Sequence, residues 1–283
     1  MTLANPSMLM KEATASQRVI AAFNIFNAES LNAVVRAAES LDVPVILSVN
    51  EPDMKHLGSE EVAALARARA GAAQVPVILH LDHGMSLATV IQCLRAGFTS
   101  IMIDASASPA EEGRAMVRSA VDICHCVGVP VESLVGRLRL ALAVEGESGS
   151  VEELTDPEKA AAFVAATGID SLAVSIGTEH GGYLLGKRPR LDLARLAEIE
   201  ERVAVPLVVH GGSALGEEQL RELRRHRVGK LNIGSVIRTE YRNALLAAFQ
   251  EGVTDIRDAS ARGEQIVYEV ARRKMEILSR EPA

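Results

Sequence analysis

The stretch VPVILHLDHG at residues 75–84 indicates the fold of this chain most clearly. A Val-Pro pair opens an almost entirely apolar run, and the run stops at Asp82, His83 and Gly84. Such runs are typical of strands in parallel sheets, because helices cover both faces of those sheets. We therefore predict a buried parallel strand that carries polar side chains at its carboxyl end.

The same pattern recurs along the chain, with amphipathic stretches between the apolar runs. The predicted strands are Val19–Phe23, Val45–Val49, Val77–Leu81, Ser100–Ile103, Val129–Val131, Ser171–Ile176, Leu207–Val209 and Lys230–Ile233. Alternation of strand and helix indicates right-handed βαβ units. Eight such units predict an α/β fold of the (β/α)8 TIM-barrel type, in a single domain over residues 1–283. The segment after Gly252 predicts a C-terminal helical tail.

Composition narrows the possible functions. The chain has 283 residues, a formal net charge of −7 and no lysine- or arginine-rich run, which argues against a nucleic-acid partner. No apolar stretch is long enough for a membrane helix, and the N-terminus lacks the pattern of a signal peptide. We therefore expect a cytoplasmic protein with no membrane partner. A dinucleotide-binding fold is disfavoured because no G-x-G-x-x-G follows the first strand.

Polar residues cluster at the predicted strand ends, where the active sites of barrel enzymes lie. They are Asn24, Asn50, Asp82, His83, Asp104, Glu132, His180, His210, Asn232 and Ser235. Each one alone could be an ordinary turn residue or a structural histidine. His83, His180 and His210, however, each follow a different strand, and those strand ends converge in a barrel. Three imidazoles with one open position suit a catalytic Zn2+ ion.

Glycine-rich turns suggest a second element of the site. They contain Gly181, Gly211, Ser213 and Ser235. The last two turns precede helices, so backbone N–H groups at the helix N-termini could bind a phosphate. Plain βα-turn chemistry is the alternative interpretation.

At these residues the sequence resembles the class II, metal-dependent fructose/tagatose-bisphosphate aldolases, and it looks closest to the tagatose-bisphosphate branch. The segments that carry the resemblance are 22–25, 80–84, 102–106, 167–174, 176–181, 210–213 and 230–233. They span most of the chain and keep the order of the family.

The resemblance implies a role for each matching residue. His83, His180 and His210 would bind zinc, and Asp82 would move the proton of the hydroxyl at the carbon–carbon bond that forms or breaks. The phosphate of dihydroxyacetone phosphate would be held by Gly181, Gly211, Ser213 and Ser235, near a monovalent cation. Asn232, with help from Asn24, would contact the three-carbon unit. Asp104 and Glu132 are possible acids of a second site, and the family implies a homodimer or homotetramer acting on a phosphorylated sugar.

The sequence departs from the family pattern in and after the fifth strand. Leu134 replaces the second acid of that strand, and Leu142 stands at the place of a loop glutamate that transfers a proton. Because leucine cannot move a proton, either Glu145 or Glu147 replaces the lost acid or the reaction differs. Three hypotheses follow: an aldolase that cleaves fructose or tagatose 1,6-bisphosphate, a metal-dependent barrel that acts on another carbon–carbon lyase substrate, and a non-catalytic paralogue.

Overall fold

The computed structural model of the protein describes residues 2–135, 139–140, 154–180 and 188–280, with backbone alone at 139–140 and 179–180. The described strands are β1 (Ile20–Asn24), β2 (Val45–Asn50), β3 (Val77–Gly84), β4 (Ser100–Ile103), β5 (Val131–Leu134), β6 (Arg139–Leu140), β7 (Ser171–Val174), β8 (Glu179–His180), β9 (Leu207–Val209) and β10 (Val228–Ile233). The described helices are α1 (Pro6–Ala15), α2 (Ala28–Leu41), α3 (Glu51–Leu57), α4 (Ser59–Ala72), α5 (Leu87–Ala96), α6 (Ala110–His125), α7 (Pro157–Thr167), α8 (Leu193–Arg202), α9 (Glu217–Leu223), α10 (Ser235–Gln250) and α11 (Ile256–Ser279).

Eight parallel strands close into a barrel in the order β1-β10-β9-β7-β5-β4-β3-β2, and β6 pairs with β8 outside it. The predicted (β/α)8 barrel and its C-terminal helix are therefore confirmed. The predicted fifth strand, Val129–Val131, was wrong in its bounds, because β5 begins at Val131. Pro130 has no N–H group to donate to the ladder, so the strand starts after it and continues to Leu134. The domain bounds of 1–283 stay a prediction.

Strand side chains alternate between two apolar layers, as the period of a strand requires. In β2, Val45 and Leu47 pack outward against the helices, whereas Ile46 points into the barrel. Helix α1 covers the bottom of the barrel, and its Met10 packs against an apolar layer of inward-facing strand residues. The sequence did not predict α1, which begins after Asn5, whose side chain caps the helix by accepting a hydrogen bond from the Ser7 amide.

Toward the carboxyl ends of the strands, the interior becomes polar. In β3 the inward positions are Ile78, then His80, then Asp82, each two residues further up the strand. Inside the barrel, a polar layer therefore lies above an apolar layer, at the end of the barrel where active sites form. Within the described part of the chain, no helix is both long and apolar enough to cross a membrane.

Candidate metal centre

Three side chains converge at the mouth of the barrel. Asp82, His83 and His210 each offer one ligand atom, and these atoms all lie within 4.8 Å of one another. The rings of His83 and His210 stand 5.0 Å apart between centroids, at 68° to each other. Two imidazoles and a carboxylate at this spacing fit a divalent ion such as Zn2+.

Asp82 and His83 reach the same site although they are consecutive residues of β3. Consecutive side chains of a regular strand point to opposite faces. Here the ladder between β3 and β4 shifts register between Leu81 and Gly84, and His83 adopts a left-handed backbone with φ of 54°. Non-glycine residues adopt this conformation only at an energetic cost, which is typical of functional sites. The irregularity turns His83 toward the mouth beside Asp82.

A carboxylate orients each of the two histidines. The Nδ1 atom of His83 lies 2.6 Å from Oδ2 of Asp104, and Nε2 of His210 lies 3.1 Å from Oε1 of Glu132. A metal ion would therefore use Nε2 of His83 and Nδ1 of His210. Such carboxylate partners fix the ring orientation of metal-binding histidines and increase their basicity. Asp104 and Glu132 were predicted as possible acids of a second site, and that role stays a prediction; each contacts one of the predicted histidine ligands.

These contacts shift the pKa values of the site. Burial opposes ionisation of Asp104, but hydrogen bonds from His83 and Ser106 lower its pKa to about 2. Burial also opposes a charged His83, yet the Asp104 hydrogen bond and the Asp82 carboxylate raise the pKa of His83 above its ordinary value. Burial lowers the pKa of His210. Both rings must be neutral to bind a metal, so protons compete with a metal ion for these nitrogens.

Asp82 is held by two amides. Its Oδ2 accepts a hydrogen bond from Asn24 Nδ2 at 2.6 Å, and its Oδ1 accepts one from Asn232 Nδ2 at 3.0 Å. Burial opposes ionisation, but His83, His210 and the Lys230 ammonium hold the pKa of Asp82 well below its usual range. Asp82 is therefore a carboxylate with a fixed orientation, able to accept a proton at the mouth of the barrel.

A polar network supports the site from beneath. The Nζ atom of Lys230, which is 1% exposed, lies 2.5 Å from Oε2 of Glu132 and 2.9 Å from Nε2 of His80. His80 Nδ1 in turn lies 2.8 Å from Ser100 Oγ. Burial and Lys230 lower the pKa of His80 to about 3, so this ring is neutral and contacts the lysine through a nitrogen lone pair. Lys230 is therefore fully engaged in a buried network beneath the mouth of the barrel.

The predicted phosphate-binding turns lie beside this site. Gly211 has φ of 77°, and residues Gly212–Ala214 form a short 3-10 turn. The Ser213 hydroxyl oxygen accepts hydrogen bonds from the amides of Gly234 and Val236 at 3.1 and 3.3 Å, which ties this turn to the start of α10. Any side chain at Gly234 would collide with Asn24, since a Cβ atom there would lie 2.6 Å from Asn24 Oδ1. The two turns and Asn24 therefore form one closely packed surface.

For several predicted site residues the structure describes neither the side chain nor its contacts. Gly181, Leu142, Glu145 and Glu147 are outside the described residues, and His180 is described through its backbone alone, in β8. Leu134 is described: it points into the barrel, where it is 7% exposed and joins the interior apolar cluster. An apolar side chain therefore occupies the inner face of the barrel above Glu132.

The fold and the donor set define a metal-binding barrel protein with its site at the carboxyl ends of the strands. The profile of the family described as fructose-bisphosphate aldolase class-II matches residues 4–282. The chain belongs to this family and is an aldolase. The narrower prediction of a tagatose-bisphosphate branch stays a prediction.

Three solved structures resemble this chain in fold. The chain is 32% identical to the YdjI aldolase from Escherichia coli K12, with a TM-score of 0.86, covering 98% of this chain and 97% of that one. It is 28% identical to a putative fructose-1,6-biphosphate aldolase from Coccidioides immitis, with a TM-score of 0.83 over 96% and 94% of the two chains. A fructose-bisphosphate aldolase from Campylobacter jejuni, 21% identical over 98% and 95%, shares the fold with a TM-score of 0.80.

Proposed function

We propose that the protein is a zinc-dependent aldolase that reversibly cleaves fructose or tagatose 1,6-bisphosphate to dihydroxyacetone phosphate and an aldehyde. The observation that carries this proposal is the cluster of Asp82, His83 and His210, whose ligand atoms lie within 4.8 Å of one another. His83, His180 and His210 would hold the ion. When bound, zinc supplies Lewis-acid stabilisation of the negative charge that develops on the substrate oxygens during cleavage.

Asp82 would act as the base in the cleavage direction. It would take the proton of the substrate hydroxyl while that carbon becomes a carbonyl, the carbon–carbon bond breaks and the electron pair passes to the three-carbon fragment. Asn24 and Asn232, which donate to the two Asp82 oxygens, would keep the carboxylate aimed at that hydroxyl. In the synthetic direction Asp82 would return the proton.

The three-carbon fragment must gain a proton at carbon before it leaves as dihydroxyacetone phosphate. We propose that Glu145 or Glu147 supplies it, since Leu134 and Leu142 cannot. Glu145→Gln and Glu147→Gln, with Glu158→Gln as the control, test this point. A large loss of turnover in one loop variant is expected, and full activity in both would exclude these residues as the acid.

The phosphate of the three-carbon unit would lie on the turns that contain Gly181, Gly211, Ser213 and Ser235, near a monovalent cation. The Ser213 oxygen accepts hydrogen bonds from two backbone amides, which leaves the hydroxyl hydrogen to donate to a phosphate oxygen. We also propose, on the family resemblance, that the protein works in the cytoplasm as a homodimer or homotetramer.

A coupled assay for dihydroxyacetone phosphate tests the proposed function. Both bisphosphates are supplied to the protein as purified, to protein treated with a chelator, and to treated protein after zinc is added back. Release that disappears with the chelator and returns with zinc is expected. Zinc-loaded protein that releases no product from either sugar would contradict the proposal and favour a different lyase substrate or a non-catalytic role.

A further inference from the structure

The C-terminal helix α11 reaches the back of the proposed phosphate-binding turn that follows β9. Lys274 of this helix donates from Nζ to the carbonyl oxygens of Gly212 and Leu215, at 3.1 and 2.8 Å. Its neighbour Arg273 forms an ion pair with Glu217, the first residue of α9. Two consecutive basic residues of α11 therefore hold the segment that joins β9 to α9.

The turn is also fixed on its other sides. A Cβ atom at Gly212 would lie 2.7 Å from Leu231 Cγ and 2.9 Å from the Asn232 carbonyl oxygen, so the turn lies close against β10. The hydroxyl of Ser213 ties it to the start of α10. With these contacts in place, the turn presents its carbonyl groups to Lys274 in one orientation.

Peptide geometry directs a backbone donor to the opposite side of the turn. No cis peptide bond occurs in the described part of the chain, and the C=O and N–H groups of a trans peptide point in opposite directions. Because the Gly212 carbonyl faces Lys274, the Ser213 N–H group of the same peptide points away from α11. A cation at the carbonyl polarises the peptide and makes that N–H group a stronger donor to an anion.

The charge of Lys274 is not balanced by a carboxylate of its own. Its two hydrogen-bond partners are neutral carbonyls, and burial together with Arg273 lowers its pKa to about 8. Glu217 opposes this decrease, but it also pairs with Arg273 and Arg221. A phosphate dianion on the far side of the turn would therefore favour the protonated form of Lys274.

We propose that Lys274 is a positioning residue for the phosphate of the three-carbon unit, and that this phosphate binds tightly only while Lys274 is protonated. The inference rests on the proposed aldolase function and adds a dependence of substrate affinity on pH. The ammonium would fix the turn from behind and add a positive charge, without touching the substrate. Because the attraction is mutual, substrate binding above about pH 8 must take up a proton.

The test is the KM for dihydroxyacetone phosphate in its condensation with glyceraldehyde, catalysed by the zinc-loaded full chain at about pH 7 and about pH 9. The second pKa of a phosphate ester is about 6, so the donor is a dianion at both values. Lys274→Met should raise KM about 10-fold at the lower pH and change kcat little. The wild-type KM should rise toward the value of Lys274→Met at the higher pH, whereas the KM of Lys274→Met should stay level.

Two further variants control this test. Lys274→Arg carries a charge that persists at both pH values, so its KM should stay low at both. Lys11→Met removes an exposed lysine of α1, at the bottom of the barrel, and should reproduce the wild-type profile. A purely structural role of Lys274 would alter stability or kcat in the variants but leave the change of KM with pH intact. Thermal melting of each variant reports folding, and if Lys274→Met does not fold, the contrast between wild type and Lys274→Arg decides.

The outcomes separate this inference from the proposed function. A zinc-loaded wild type that neither cleaves the bisphosphates nor condenses dihydroxyacetone phosphate would contradict the aldolase proposal, and the inference with it. An active wild type whose KM does not rise above pH 8 would overturn the inference alone. An equal rise in wild type and Lys274→Arg would assign the pH dependence to another group and also overturn it.

Discussion

Glu132 Oε1 lies 3.1 Å from Nε2 of His210, so a glutamate of β5 fixes the ring of a proposed metal ligand that follows β9. The same carboxylate contacts Lys230 through its other oxygen. Burial would raise the pKa of Glu132, but the Lys230 ammonium and the His210 hydrogen bond lower it to about 2. Glu132 therefore joins the buried cation to the proposed metal centre.

Glu132→Gln should weaken zinc binding without removing a ligand. The amide keeps the size of the side chain but loses the charge that orients His210, and such changes typically cost about 10- to 100-fold in metal affinity. Competition with a fluorescent zinc chelator would measure the Kd. Glu158→Gln, on the exposed surface of α7, is the matched control. Equal zinc affinity in the two variants would show that Glu132 does not position His210.

Lys230→Met should destabilise the fold strongly. It removes the cation and leaves Glu132 charged and buried, which typically costs about 3–5 kcal/mol. The double variant Lys230→Met with Glu132→Gln should lose less than the sum of the two single changes, because no unpaired charge remains. Urea unfolding gives the free energies, with the exposed Lys11→Met as control. Additive losses would mean that the two groups do not depend on each other.

Asp82→Asn should abolish most turnover while the metal stays bound. The amide cannot accept the hydroxyl proton, and removal of a general base typically costs about 10²- to 10⁴-fold in rate. Steady-state kcat and zinc content are measured on the same preparation. Asp42→Asn, at a left-handed helix end that asparagine also tolerates, is the control. A variant with full zinc content and an unchanged kcat would remove Asp82 from the mechanism.

Lys274 should make stability depend on pH. Its Nζ donates to the carbonyls of Gly212 and Leu215 behind the proposed phosphate-binding turn, at 3.1 and 2.8 Å. Burial, with a contribution from Arg273, lowers its pKa from 10.5 to about 8. Between these pH values the unfolded chain holds the proton and the folded chain does not, so stability rises with pH in this window.

The expected gain from Lys274 is at most about 3 kcal/mol between pH 8 and 10.5. Urea unfolding of wild type and Lys274→Met at several pH values isolates this contribution, because all other titrating groups are shared. The stability of wild type should rise relative to the variant as the pH increases. Parallel curves for the two proteins would show that Lys274 titrates normally.

Local sequence patterns predicted the barrel well, because its strands are apolar runs that end in polar residues. Two of those ends carry Asp82, His83 and His210, whose ligand atoms lie within 4.8 Å of one another. The carboxylate partners of the histidines were not predicted, since Glu132 and His210 are 78 residues apart and their contact depends on barrel closure. The irregularity that turns His83 beside Asp82 arises from a register shift between strands, which leaves no local signal in the sequence.

Two other features lay beyond sequence reasoning for the same reason. The contact of Arg238 with Asp53 joins residues 185 positions apart, and each residue alone is typical of a solvent-exposed helix. Helix α1 covers the barrel bottom through Met10 and Ala13, but its sequence carries only a weak amphipathic pattern. Both features depend on the order of the strands in the closed barrel.

We propose that one zinc ion, held at His83, His180 and His210, is required for aldol cleavage. The most direct test is a titration of metal-stripped protein with zinc, in which dihydroxyacetone phosphate release is followed after each addition. We predict that activity rises linearly and reaches its plateau at one zinc per chain, and that His83→Ala and His210→Ala show no such rise while the exposed control His56→Ala does. Full activity in the stripped protein, or a plateau unchanged in His83→Ala and His210→Ala, would show that cleavage does not depend on zinc held by these histidines.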